Sequence, residues 1–207
     1  MRYDGLTPFV LDEAYLPATL TAPPMNDEEF EAFCTEHPDL SFEVTADGEI
    51  IVMPPTHSLT GRRNSEINFQ LELWSRGDHR GMVLDSSSGV VLPNGERRSP
   101  DASWTRTEDV RKLPQESREG FWHLCPAFVI ELRSHSDRLP VLRAKMQECI
   151  ANGAQLGWLI DPAAKSVEIN RPEREPETLA GVDSVTGEGP VAGFTLSLRE
   201  VWDPLVC

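Results

Sequence analysis

Long apolar runs are missing from this chain. None of its 207 residues belongs to a stretch approaching the roughly 18 consecutive apolar residues that a membrane span needs. The opening MRYDGLTPFVLDE also lacks the apolar core of a secretory signal. Cysteine is scarce: Cys34, Cys125, Cys149 and Cys207 form no CxxC pair and are too sparse for a disulfide scaffold. The expectation is reduced thiols in the cytoplasm. The five histidines show neither HxH nor HExxH spacing, which removes the usual zinc signatures. Neither GxxxxGK[ST] nor GxGxxG occurs, so nothing points to a bound nucleotide cofactor.

What is present fits a folded protein. Hydrophobic residues make up 39% and charged residues 26%, ordinary shares for a globular domain. The 17 prolines announce a good deal of loop. The formal net charge of −15 is unevenly spread: 14 of the 19 cations and 12 of the 34 acids fall between Arg62 and Lys145, so that stretch is +2 and its flanks carry −17. The overall charge excludes a general nucleic-acid coat protein. The middle stretch still offers a locally positive surface, rich in Arg, whose fork suits phosphate oxygens.

Residues 1–25 read as an extended arm and 26–207 as one domain. A helix over 26–36 starts at Asn26, with Glu29 completing a capping box. A hairpin follows over 40–53, turning at Ala46-Asp47-Gly48 and stopped by Pro54-Pro55. Ile67, Leu71 and Trp74 stand at helical spacing within a helix over 60–76. Short strands are expected at 82–84, 90–92 and 101–105, then an irregular excursion over 106–125. Residues 127–133 form the clearest buried strand. A second long helix over 136–152 ends at Gly153, strands follow at 156–160 and 166–170, and the Pro/Glu/Gly-rich segment 171–190 reads as a mobile loop.

Pro100-Asp101, Glu131-Leu132-Arg133 and Lys145 together carry the chemical interest. Side chains alternate along a strand, so Glu131 and Arg133 face the same way. A carboxylate among Phe128, Val129, Ile130 and Leu132 needs compensation, because an isolated buried charge is costly. A hard divalent cation, Mg2+ or Mn2+, bridging Asp101 and Glu131 would supply it, with water and substrate phosphate in its other positions. A salt bridge, or a solvated sheet edge, would satisfy the same residues.

Several stretches, in order, resemble the Uma-two family of restriction endonucleases, a branch of the PD-(D/E)xK nuclease superfamily. They are Asp47 to Thr56, Thr60 to Asn64, Pro100 to Trp104, Val129 to Ser134, Lys145-Met146, Ala151 to Pro162 and Gly193-Phe194. The resemblance implies an α/β (α+β) restriction-endonuclease-like core, a mixed β-sheet flanked by helices, preceded by the N-terminal helix and hairpin. It implies a metal-dependent DNA endonuclease whose metal acids are Asp101 and Glu131, with Lys145 and Arg133 completing the site and Glu66 approaching it from the 60–76 helix. The family often has Lys two positions after the Glu, and this chain has Arg133, which stays protonated and cannot serve as a general base. The alternative is a nuclease-fold protein that binds DNA or a protein partner without cleaving. A homodimer is expected, since two sites related by a two-fold axis suit two strands.

Overall fold

The computed structural model describes residues 18–53 and 55–206. Most of the expected arm, residues 1–17, and the Pro54 half of the expected strand stop lie outside these. The chain divides into two compact units, Met1–Pro55 and Thr56–Cys207.

The first unit holds β1 (Ala18–Thr21), α1 (Asp27–Glu36), β2 (Ser41–Val44) and β3 (Glu49–Met53). Within it β3 pairs antiparallel with both β1 and β2. The end of the expected arm is therefore a strand, with Ala18 opposite Val52. The capping box forms as the sequence suggests: Glu29 N–H donates to Asn26 Oδ1 at 2.9 Å and Asn26 N–H to Glu29 Oε2 at 3.0 Å. The Phe33 and Phe42 rings lie 4.8 Å apart.

The second unit runs α2 (Ser58–Asp78), β4 (Gly81–Asp85), β5 (Val90–Val91), β6 (Arg97–Arg98), β7 (Ala102–Arg106), α3 (Thr107–Lys112), β8 (Trp122–His123), β9 (Phe128–Leu132), α4 (Leu139–Ala151), β10 (Leu156–Asp161), β11 (Ser166–Asn170), β12 (Glu177–Ala180), β13 (Ser184–Thr186), β14 (Thr195–Ser197) and α5 (Arg199–Trp202). Its main sheet has the order β12-β11-β10-β9-β7-β4. The β9–β10 pair is parallel and the rest are antiparallel, a mixed sheet. A parallel pair needs a crossover, and α4 supplies it.

Alternation along the central strands divides the core. Ala102, Trp104, Phe128, Ile130, Leu132, Trp158 and Ile160 pack with Ile67 and Leu71 of α2 and with Phe194, Leu196, Leu198 and Val201 near the C-terminus. On the opposite face Val129 and Leu159 pack with Met146 and Cys149 of α4. The helix-borne residues expected from periodicity therefore reach the sheet from two sides. Gly157 allows α4 its close approach: a Cβ there would overlap Met146 Sδ.

Two segments differ from the sequence reading. The 106–125 stretch contains α3 and β8 rather than only irregular chain. The expected mobile loop 171–190 carries β12, which extends the main sheet, and β13, which pairs with β14. Leu179, packed against the core, and the buried Val185 tie the segment down, and its Pro, Glu and Gly content hid those two anchors.

Candidate active site

β9 is buried along its whole length, and Glu131 lies in it at 3% exposure. Such a carboxylate requires a counter-charge. Lys145 provides it from α4, with Nζ 2.7 Å from Glu131 Oε1. Lys145 precedes the fully buried Met146, so the packing that seats the helix also brings the Lys145 ammonium to the strand.

Asp101 arrives from the neighbouring strand. β7 and β9 pair with Ala102 opposite Ile130 and Ser103 opposite Val129; one step further along that register sets Asp101 against Glu131. Its Oδ2 accepts the Leu132 N–H at 2.8 Å. Pro100 has no N–H and β7 begins only at Ala102, so the side chain takes over where the ladder stops. Asp101 Oδ1 accepts from Asn64 Nδ2 of α2 at 2.7 Å. As a residue Asp101 is half-buried, yet its carboxyl group is enclosed. That burial raises its pKa above the ordinary carboxylate value. The Leu132 N–H, the Lys145 charge and the Asn64 hydrogen bond pull the other way, while Asp137 adds to the rise. Lys145 thus stands close enough to act on both acids.

Arg133 lies just past the end of β9. Its Nη1 donates to Asp161 Oδ2 at 2.7 Å and its Nε to the Asp137 carbonyl at 3.3 Å. Asp161 ends β10, whose Ile160 carbonyl accepts the Arg133 N–H. Burial pushes the Asp161 carboxyl up, but Arg133 and the N–H groups of Ala164 and Ala163 outweigh it and hold the group below its usual value.

Glu66 is placed differently. It lies two residues beyond Asn64, roughly 200° around the helix, and its carboxylate accepts from Arg62 at 3.0 Å and from Gln70 at 3.0 Å. Gln70 in turn holds the Ser197 backbone near α5. Burial raises the Glu66 pKa, but Arg62, Glu200 and Gln70 outweigh it, and the net effect is a lowering. The structure thus brings together Asp101, Glu131 and Lys145, pairs Arg133 with Asp161, and turns Glu66 toward Arg62 and Glu200.

Sequence reasoning did not single out Asn64, Asn68 or Asp161. The two asparagines stand one helical turn apart on the face that carries Ile67 and Leu71; amides on an apolar helix face were the signal that could have found them. Asp161-Pro162 reads as a turn, which masks its ion pair.

Among the described residues no group of three or more His, Cys, Asp and Glu side chains is gathered as a metal site. Two carboxylates nonetheless suit Mg2+, which keeps most of its waters. One structural observation fits a guest beside Asp101: the Oδ1 of Asn64 is buried without a hydrogen-bond partner among the described residues.

The family described as "Uma2: Putative restriction endonuclease" matches residues 27–199. The chain belongs to that family. A similar solved structure is that of a "putative nuclease belonging to DUF820" from Anabaena variabilis, with a TM-score of 0.72 at 20% identity over 88% of this chain and 100% of the other. At that identity the likeness speaks for the fold, and this Uma2 chain has a mixed α+β, restriction-endonuclease-like architecture. No curated protein matches it. No helix among its described residues is long and apolar enough to cross a membrane.

Proposed function

We propose that this Uma2 protein is a metal-dependent endonuclease that hydrolyses phosphodiester bonds in DNA. The observation that carries the reading is Lys145 at 2.7 Å from the buried Glu131, with Asp101 bonded to the backbone of the next residue, Leu132. The Glu131–Lys145 pair joins β9 to α4, and Asp101, just ahead of β7, is tied to the β9 residue that follows Glu131.

Asp101 and Glu131 would hold Mg2+ or Mn2+, which when bound polarises a phosphoryl oxygen and lowers the pKa of a water. The protein's own groups supply the rest. Lys145 holds a positive charge beside the acids, placed to offset negative charge growing on the phosphoryl group. Water attacks phosphorus in line as the bond to the 3′ oxygen breaks; the water's proton passes to solvent and the 3′ oxygen takes one from solvent, leaving a 5′ phosphate and a 3′ hydroxyl. Arg133 remains protonated; fixed by Asp161 and partly exposed at the strand end, it is suited to hold a phosphate oxygen rather than to move a proton. Two copies related by a two-fold axis would address both strands.

The supporting experiment incubates purified protein with supercoiled plasmid and Mn2+, alongside Asp101→Ala and Glu131→Ala. Nicking by the wild type and none by either variant is expected; cleavage that survives both substitutions rejects the assigned site. A second reading, DNA or protein binding without cleavage, draws on one observation: Arg133, at the position where the family often has Lys, is engaged by Asp161. Wild-type protein that binds DNA but nicks none, and that gains nicking as Arg133→Lys, would favour it.

A further inference from the structure

Helix α2 touches Asp101 at two levels. Asn64 Nδ2 donates to the carboxylate at 2.7 Å. One turn later, Asn68 Nδ2 donates to the main-chain carbonyl of the same residue at 2.9 Å, and also to the Asn64 carbonyl at 3.0 Å. Asn64 is only 8% exposed. Both amide oxygens are buried without a hydrogen-bond partner among the described residues.

An unmatched buried acceptor is unfavourable, because it has given up water without gaining a partner. Two of them at consecutive turns, beside the Ile67 and Leu71 stripe, are a poor choice if α2 serves only to cover the sheet. Small apolar residues would pack there with no polar group to satisfy. What the two asparagines have in common is Asp101, held once by its side chain and once by its backbone. They are also neutral. An Arg or Lys at position 64 would set a second positive charge directly on the Asp101 carboxylate, in addition to Lys145 on Glu131. An amide orients the carboxylate and leaves its charge in place. Glu66, by contrast, faces Arg62 and Gln70.

We infer that Asn64 and Asn68 are positioning residues for a divalent cation held by Asp101. Asn64 keeps the carboxylate aligned on the Leu132 N–H beside Glu131, and Asn68 fixes the main chain that carries it. The inference rests on the metal-site reading above and deepens it by giving α2 a part in the site. Partners that orient a metal ligand typically change metal affinity 10–100-fold when removed.

The test is a Mn2+ titration of the full chain at one pH, with free Mn2+ read by electron paramagnetic resonance and thermal unfolding recorded beside it. Asn64→Ala should weaken Mn2+ binding about 10–100-fold, and Asn68→Ala should also weaken it. Ser75→Ala is the control. Ser75 lies on the same helix, 3% exposed, and its Oγ accepts from Trp104 Nε1 at 3.1 Å; its loss should lower the unfolding temperature and leave Mn2+ affinity unchanged. Wild-type affinity in a folded Asn64→Ala or Asn68→Ala protein overturns the inference and leaves the metal site standing. If Asn64→Ala does not fold, Asn68→Ala decides alone. Wild-type protein that binds no Mn2+ overturns both.

Discussion

Lys145 on α4 and Glu131 in the middle of the sheet form an ion pair of 2.7 Å in which the Lys and Glu side chains are only 12% and 4% exposed. Removing one member of such a pair leaves the other buried without this counter-charge. Lys145→Met should therefore destabilise the protein by about 3–5 kcal/mol. Replacing both members, as Glu131→Gln with Lys145→Met, should recover most of that loss. Urea unfolding of the two variants and the wild type measures it; equal losses in the single and double variants would show that the pair carries no special cost.

The approach of α4 to the sheet depends on Gly157. A methyl group there meets Met146 Sδ, and Met146 is fully buried. Gly157→Ala should cost about 1–3 kcal/mol through overpacking. The effect should be non-additive with Met146→Ala, because the smaller side chain vacates the space the new methyl needs. Thermal unfolding of the two singles and the double gives the coupling, and strict additivity would contradict the contact.

Asp161 gives the clearest pH signature. Burial favours its neutral form, but Arg133 and the Ala164 and Ala163 N–H groups prevail, so its folded pKa lies below the unfolded value of about 3.9. The folded state thus holds the proton less tightly, and the stability contributed by this carboxylate is present above that value. It is lost as pH falls through the lower, folded value. Asp161→Asn should be less stable than the wild type at neutral pH, and the difference should shrink as pH falls below the unfolded value of about 3.9. Denaturant unfolding at several pH values checks this; a gap that stays constant with pH would remove the Arg133 pairing from the account.

Much of the architecture could be read directly from residue patterns. The Asn26/Glu29 box, the Ala46-Asp47-Gly48 turn, the Ile67/Leu71 stripe and the apolar run at 128–132 each encode their element locally. Local patterns also place Glu131 in a strand and Lys145 at the edge of a buried helix face. Their meeting depends on the α4 crossover, which the sequence could suggest only through family resemblance. The Arg133–Asp161 and Asn64–Asp101 contacts were less legible. They join residues 28 and 37 positions apart, and Asp161, within a turn signal, and Asn64, within a helix, carry no local mark of the partner they meet. The strands within 171–190 escaped for a related reason: a strand that owes its place to an existing sheet edge needs few apolar residues of its own.

The thiols offer a check on the α4 side of the core. Burial pushes the Cys125 thiol up to about 12, and burial raises Cys149 further still. Because the thiolate is the reactive form, both should resist a thiol-specific disulfide reagent at pH 8 in the folded protein and react on unfolding. Peptide mapping after labelling identifies the sites; rapid modification of Cys149 in the native state would mean that α4 does not pack as described.

The central claim is that Asp101 and Glu131 jointly hold one hard divalent ion beside Lys145. Crystals soaked in Mn2+ and measured at a wavelength where manganese scatters anomalously test it directly. The account predicts one anomalous peak within coordinating distance of both carboxylates, absent from Asp101→Ala crystals soaked the same way. A map with no peak there, or with manganese bound elsewhere and the Lys145–Glu131 pair undisturbed, would contradict it.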